Sequence, residues 1–367
     1  MPLGPQPTSL PFAVAWEEVL PLLLPLPLIL AANWNVKPPT GAGLPSRLAA
    51  GLGRAAWALL AVVAGGCLLV GLVSLAAFSR GRLALYGTVM ALAGLLALAL
   101  LLPAVRRRLS RVLPLRPDNP LDATALVLTV VLVGSQLANQ LAVDVLSRQL
   151  RSGPQLGRLD LILQELPFLL AAFLGAGLLV RRTPAGTFAR LGLMRPAPWQ
   201  IALALAAAGV FYAFSSGVDL LSQRLTPDLA HEVDTANQRL FGRLGDPLGI
   251  ATIALAAGIC EETLFRGALQ PRLGILWTSL VFAAVHSQYG LSLDAVAVFV
   301  LAVCLGALRV LANTTTTIVC HVAYNALVGV GVAAAWLGPA LAAEVGLVLL
   351  TVLAFFTSRV GTSRLAQ

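Results

Sequence analysis

What most limits the architecture open to this chain is a series of unbroken apolar runs, each close to the ~20 residues that an α-helix needs to cross a bilayer. In order they lie near 19–33, 55–78, 83–103, 123–143, 161–180, 199–221, 247–265, 275–288, 294–311, 315–337 and 340–357. Of the 367 residues 58% are hydrophobic and 11% charged, against roughly 25% charged in soluble domains. The runs are continuously apolar rather than alternating, which argues against a transmembrane β-barrel. The expectation is an all-α, polytopic membrane helical bundle of about 8–11 transmembrane helices, with 275–288 the shortest span.

A formal net charge of +9 invites a nucleic-acid partner, but the placement of the charge argues against one. Arginines gather in short stretches between spans, as in "RRRLSR" (106–111) and "RRTPAGTFAR" (181–190). Assigning loops alternately puts roughly 17 Lys/Arg on one side and roughly 8 on the other, the bias of a positive-inside protein. The C-terminus is then expected in the cytoplasm and the N-terminus outside. The segment before the first span carries Glu17 and Glu18 and no basic residue, so it does not read as a secretory leader. Two polar stretches, 106–120 and 222–247, read as loops. They divide the chain into an accessory region of about three spans (1–120), a middle region (121–246), a core (247–340) and a final span with its tail (341–367).

The four cysteines, Cys67, Cys260, Cys304 and Cys320, fall in apolar runs without CxxC spacing and read as buried thiols. Cys320 adjoins His321, but successive helical residues point about 100° apart, which speaks against a Cys–His dyad. His231, among Asp228, Glu232 and Asp234, reads as a solvated loop residue. Glu17-Glu18 has Leu22 where an arginine partner would stand, and no chemistry is assigned to it.

Ionisable side chains at membrane depth cost about 2.5–3.5 kcal/mol each on insertion scales, so those in the rear spans are functional candidates. Three helical fragments carry them. In "EETLFRG", Glu262 and Arg266 are four apart and share a face, while Glu261 points away and keeps a free carboxylate. "FAAVHSQYG" spaces Phe282 and His286 one turn apart, and "HVAYNALVG" does the same for His321 and Asn325. Helices packed against one another can gather Glu261, His286, His321 and Asn325 around one cavity. By rise per residue, Glu261 sits within about 8 Å of the end of its span, and His286 lies deeper, so a kink or tilt must bring them level. These groups suit hydrolysis by an activated water: a buried carboxylate as base, an imidazole to orient the water, and a second imidazole with an amide to hold an oxyanion. No HExxH zinc motif is present.

Glu261-Glu262-x-x-x-Arg266, Phe282-x-x-x-His286 and His321-x-x-x-Asn325, in this order and spacing over about residues 245–335, resemble the motifs of the CAAX protease and bacteriocin-processing family. That family comprises glutamate-type intramembrane endopeptidases. The resemblance implies that Glu261 activates water with help from His286, that His321 and Asn325 form the oxyanion hole, and that Glu262, Arg266 and Phe282 shape the site. It implies no cofactor; zinc held by Glu261, His286 and His321 is the lesser alternative. The implied partners are a membrane-anchored protein or peptide substrate and the lipid bilayer. An Ala-, Leu- and Arg-rich composition suggests a bacterial cytoplasmic (inner) membrane, where C-terminal anchor processing, protein sorting or bacteriocin and leader-peptide maturation lead over prenylated substrates. The competing readings are a non-catalytic scaffold or immunity protein and, behind it, a transporter, for which paired broken helices are lacking.

Overall fold

The computed structural model describes residues 22–34, 36, 46–142, 146, 155–178 and 180–364. Glu17 and Glu18 lie outside them. The chain is a polytopic all-α integral membrane protein. Its helices are α1 (Pro25–Trp34), α2 (Ser46–Ala77), α3 (Arg82–Ala99), α4 (Pro103–Leu109), α5 (Pro120–Ala142), α6 (Arg158–Ala176) and α7 (Pro184–Leu191). They continue with α8 (Pro198–Leu225), α9 (Pro227–Phe241), α10 (Pro247–Glu262), α11 (Gln270–Val285), α12 (Leu293–Leu311), α13 (Thr314–Val330) and α14 (Leu337–Arg364). A π-helical segment, Thr263–Leu269, joins α10 to α11.

Among the described residues, seven helical runs are long and apolar enough to cross a membrane. One of them, Pro247–Val285, unites two of the expected spans. It is not a single rod, because Gly274 breaks the helix at φ +77° and ψ 176°, a conformation that glycine adopts without a Cβ penalty. The chain reverses there: Phe265, nine residues before Gly274, meets Phe282, eight after it, with ring centroids 5.0 Å apart. Of the first expected span, residues 19–21 lie outside the described ones, and the described part holds the ten-residue α1, which Pro25 and Pro27 open.

The stretch 222–247, expected to be a loop, is mostly helical. Thr226 and Pro227 open α9, whose buried Ala230, Val233 and Ala236 form a stripe with i, i+3 spacing. Its low hydropathy hid an amphipathic pattern. His231 lies on its exposed side, solvated as expected but on a helix. In the other polar stretch, Arg106 is 3% exposed. It donates to the carbonyls of Pro117, Leu100 and Leu101 at 2.6, 2.8 and 2.7 Å and covers the Trp57 ring at 4.8 Å, so this member of the basic cluster clasps a turn.

Glycines set the close helix contacts. A Cβ at Gly71 of α2 would overlap the backbone of Ala91 on α3, and one at Gly94 would overlap Leu68. Gly258 of α10 takes up α13 in the same way, at Val322. A buried ion pair ties the middle helices to the rear ones: Arg272 Nε donates to Asp122 Oδ1 at 3.0 Å and Nη2 to the Gly175 carbonyl at 3.2 Å. Capping fixes where the rear helices begin. Asp246 accepts from Gly249 N ahead of Pro247, Ser292 accepts from the first amides of α12, and Asn313 accepts from Thr316 N.

Candidate active site

The α10 helix does not stop near residue 265 as expected but runs on through the π segment toward Gly274. Glu261 is therefore thirteen residues before the reversal and His286 twelve after it, which brings them level. Glu261 thus lies well inside its span rather than about 8 Å from the end. The π segment carries Arg266, and a π-bulge at a functional site is a common device for re-aiming a side chain. Two arginines donate to carbonyls in this segment, Arg309 Nε to Arg266 O at 3.0 Å and Arg190 Nη1 to Gly267 O at 3.5 Å.

Arg266 is wholly buried. Its Nε stands 3.4 Å from Glu262 Oε2, Nη2 donates to the Ala302 carbonyl at 3.3 Å, and the guanidinium lies over the Phe282 ring at 4.7 Å. The other Glu262 oxygen, Oε1, is 3.1 Å from His321 Nδ1. An ionised carboxylate only accepts, so the His321 Nδ1–H donates and its Nε2 faces Glu261 Oε2 at 4.0 Å. His286 is oriented from its own helix end. Its Nδ1 is 2.7 Å from the Phe282 carbonyl, which can only accept, so Nε2 carries the lone pair of the neutral ring and faces Glu261 Oε1 at 3.9 Å. Phe282 stacks on His286 (centroids 4.6 Å, 27°) and lies 6.0 Å from the His321 ring, so one aromatic side chain braces both imidazoles and the arginine.

Both Nε2–Glu261 separations are too long for direct hydrogen bonds and suit a small oxygen bridging between the groups. Glu261, His286, His321 and Asn325 line one cavity of about 940 Å³, with Phe282 in its wall. The seven residues read from the sequence are thereby brought together: four at the cavity, Phe282 between them, and Glu262 with Arg266 behind. Glu262 does more than shape the site, since it holds His321.

The rest of the cavity is mostly apolar and draws on α1, α5, α6, α8 and α9 as well as the rear helices. Two of its polar residues were missed in the sequence. Glu165 of α6 is 9% exposed, and Asn237 comes from α9; Glu165 Oε2 and Asn237 Oδ1 have no hydrogen-bond partner among the described residues. Glu165 was legible in "LILQELPFLL" by the same rule of intramembrane charge, which had been applied only to the rear spans. Tyr289 follows His286, and its ring lies parallel to that imidazole with centroids 6.4 Å apart. Of the cysteines, Cys67, Cys260 and Cys320 are buried free thiols, but Cys304 is exposed on the bundle surface, because an apolar run has a lipid face as well as an inner one.

Comparison with known proteins bears on the rear of the chain. Residues 244–327 match the family model described as Rce1-like, type II CAAX prenyl endopeptidase. A protein of Bacillus subtilis (strain 168), described as the uncharacterized protein YpbD, is 32% identical over 71 residues. The match covers 19% of this chain and 37% of that relative. No solved structure matches. The matched segment runs from the turn before α10 into α13 and contains all seven motif residues. The match over residues 244–327 thus falls on the same segment as the three motifs and agrees with the resemblance they carry.

Proposed function

We propose that the chain is an intramembrane endopeptidase that hydrolyses a peptide bond of a membrane-associated protein or peptide with water activated by Glu261. The observation that carries this reading is one buried carboxylate facing two imidazole Nε2 atoms, at 3.9 and 4.0 Å, each ring held from behind through its Nδ1. A water placed between Glu261 and His286 gives its proton to the carboxylate while the lone pair on His286 Nε2 accepts its second hydrogen. The hydroxide adds to the scissile carbonyl. The resulting oxyanion is met by the Asn325 amide and by Nε2–H of a protonated His321, whose other nitrogen donates to Glu262. Charge balance supports this state, since Glu262 is matched by Arg266 and Glu261 by His321. The mostly apolar walls of the cavity suit a hydrophobic substrate.

The chemistry calls on no metal. Ligands at about 2.0–2.2 Å from a tetrahedral zinc would sit closer together than these groups do. For the substrate, processing of C-terminal membrane anchors or maturation of leader or bacteriocin peptides accords with a bacterial membrane.

The decisive test is terminal-peptide mass spectrometry of cells carrying wild type or Glu261→Ala. New termini beside hydrophobic segments, present only with wild type, are expected. Identical terminomes from equally expressed proteins would refute the protease reading and leave the non-catalytic scaffold.

A further inference from the structure

Glu165 is unused by the reaction above, yet it stands at the same level as Glu261. Helix α6 runs beside α10 and its continuation in the same direction: Arg158 pairs with Asp246 at the cap of α10, Phe168 lies edge-on to Phe265 of the π segment at 6.0 Å, and Gly175 O accepts from Arg272 in the first turn of α11. Between these fixed points Glu165 and Glu261 line the same cavity. Each has a buried Oε2 without a hydrogen-bond partner.

Two carboxylates that share one mostly apolar cavity resist ionising together, and the pair is most stable with one proton between them. Their surroundings decide which keeps it. Glu261 faces His321, which carries both its protons in the reaction above, whereas Glu165 has no basic side chain within ion-pair distance among the described residues. The neutral acid is then Glu165 and the base Glu261.

We propose that Glu165 is the proton donor to the leaving amine, paired with Glu261 as base, an assignment that rests on the peptidase reading above. The steps balance. Glu261 takes one proton from water as the oxygen bonds to the carbonyl carbon. The tetrahedral adduct collapses, the C–N bond breaks, and the amine nitrogen takes the Glu165 proton. The acyl product keeps the other hydrogen of the water. The proton held by Glu261 then passes to the Glu165 carboxylate, which restores the starting state with no other reactant.

The test uses purified full-length chain in proteoliposomes, a synthetic peptide spanning the bond found by the terminal-peptide comparison, and its depsipeptide counterpart with an ester at the scissile position. An ester leaving group needs no proton, whereas an amine does. Glu165→Gln is expected to slow amide cleavage about 10²–10³-fold in kcat with little change in KM, and ester cleavage by a much smaller factor. Glu165→Asp should recover part of the amide rate. The infrared difference between wild type and Glu165→Gln at neutral pH should contain the C=O stretch of a protonated carboxyl. Equal losses on amide and ester, or no loss on either, would overturn the assignment, as would an infrared difference showing only a carboxylate. A Glu165→Gln defect confined to the amide, together with Glu261→Ala that still cleaves, would leave Glu165 in place and refute the base. Wild type inert toward both substrates overturns the peptidase reading and the proton donor with it.

Discussion

The front pair α2–α3 and the rear pair α10–α13 are joined by the same device and bury opposite chemistry. In both, a glycine lets one helix lie against the backbone of its neighbour: Gly71 and Gly94 in front, Gly258 behind. The front contact encloses Met90 and Ala93 beside Cys67, whose thiol donates to the Met90 carbonyl at 3.4 Å. The rear contact encloses Glu261, Glu262 and His321, with Arg266 alongside. Close packing alone therefore does not call for charge. Where charge is nonetheless buried at a cost of several kcal/mol per ion, chemistry is the reason to look for.

The largest test of this contrast is the loss of the carboxylate that faces the imidazoles. Glu261→Gln should lower kcat/KM by about 10³–10⁴-fold, toward the upper end of what a general base contributes, while the thermal unfolding midpoint in detergent stays near wild type. A variant within tenfold of wild type would erase the functional side of the comparison. Next comes the ion pair behind the site. Arg266→Met leaves Glu262 uncompensated and should destabilise the protein by about 3–5 kcal/mol, read from reversible unfolding in mild detergent; Glu262→Gln/Arg266→Met should recover a good part of this. The front pair supplies the smaller, purely mechanical effect. Gly94→Leu, which must push α2 and α3 apart, should cost about 1–3 kcal/mol yet leave turnover per folded molecule unchanged. A fall in turnover would show that the front helices reach the chemistry. The smallest effect is at the exposed cap of α10. Hydrogen bonds from Arg158 and then from Gly249 N hold the Asp246 carboxyl below its usual range. A depressed carboxyl contributes stability above its unfolded-state value, and that contribution fades as pH falls through the folded one. Asp246→Ala should thus be slightly less stable than wild type at neutral pH and match it in acid.

The apolar runs made the bundle readable, and the three motifs singled out seven residues that the fold brings together, because intramembrane charge is rare and i, i+4 spacing places residues on a shared face. What escaped depends on packing between distant segments. The bond from His321 to Glu262 spans 59 residues, and nothing in either fragment announces it. Reading 265 as a helix end set Glu261 at the wrong depth, because "TLFRGAL" continues as a π-helix, for which no residue pattern was available. The α9 helix was hidden by polarity, its narrow stripe outvoted by Asp228, His231, Glu232 and Asp234. Glu165 was visible and overlooked, a failure of scope rather than of signal.

The reversal at Gly274 has a bearing on where a cut product would emerge. The eleven residues from Ile275 to Val285 rise only about 16 Å, roughly half the ~30 Å hydrocarbon thickness. Backbone that leaves a helix short of a full span needs internal partners, and Gln140 supplies one by donating to the Ser287 carbonyl at 2.9 Å. On the peptidase reading, scission takes place in a mostly apolar cavity, so both new chain ends are born in oil. A charged terminus there is unstable, and its escape toward water would pull the two halves of a severed anchor apart, making the cut hard to reverse.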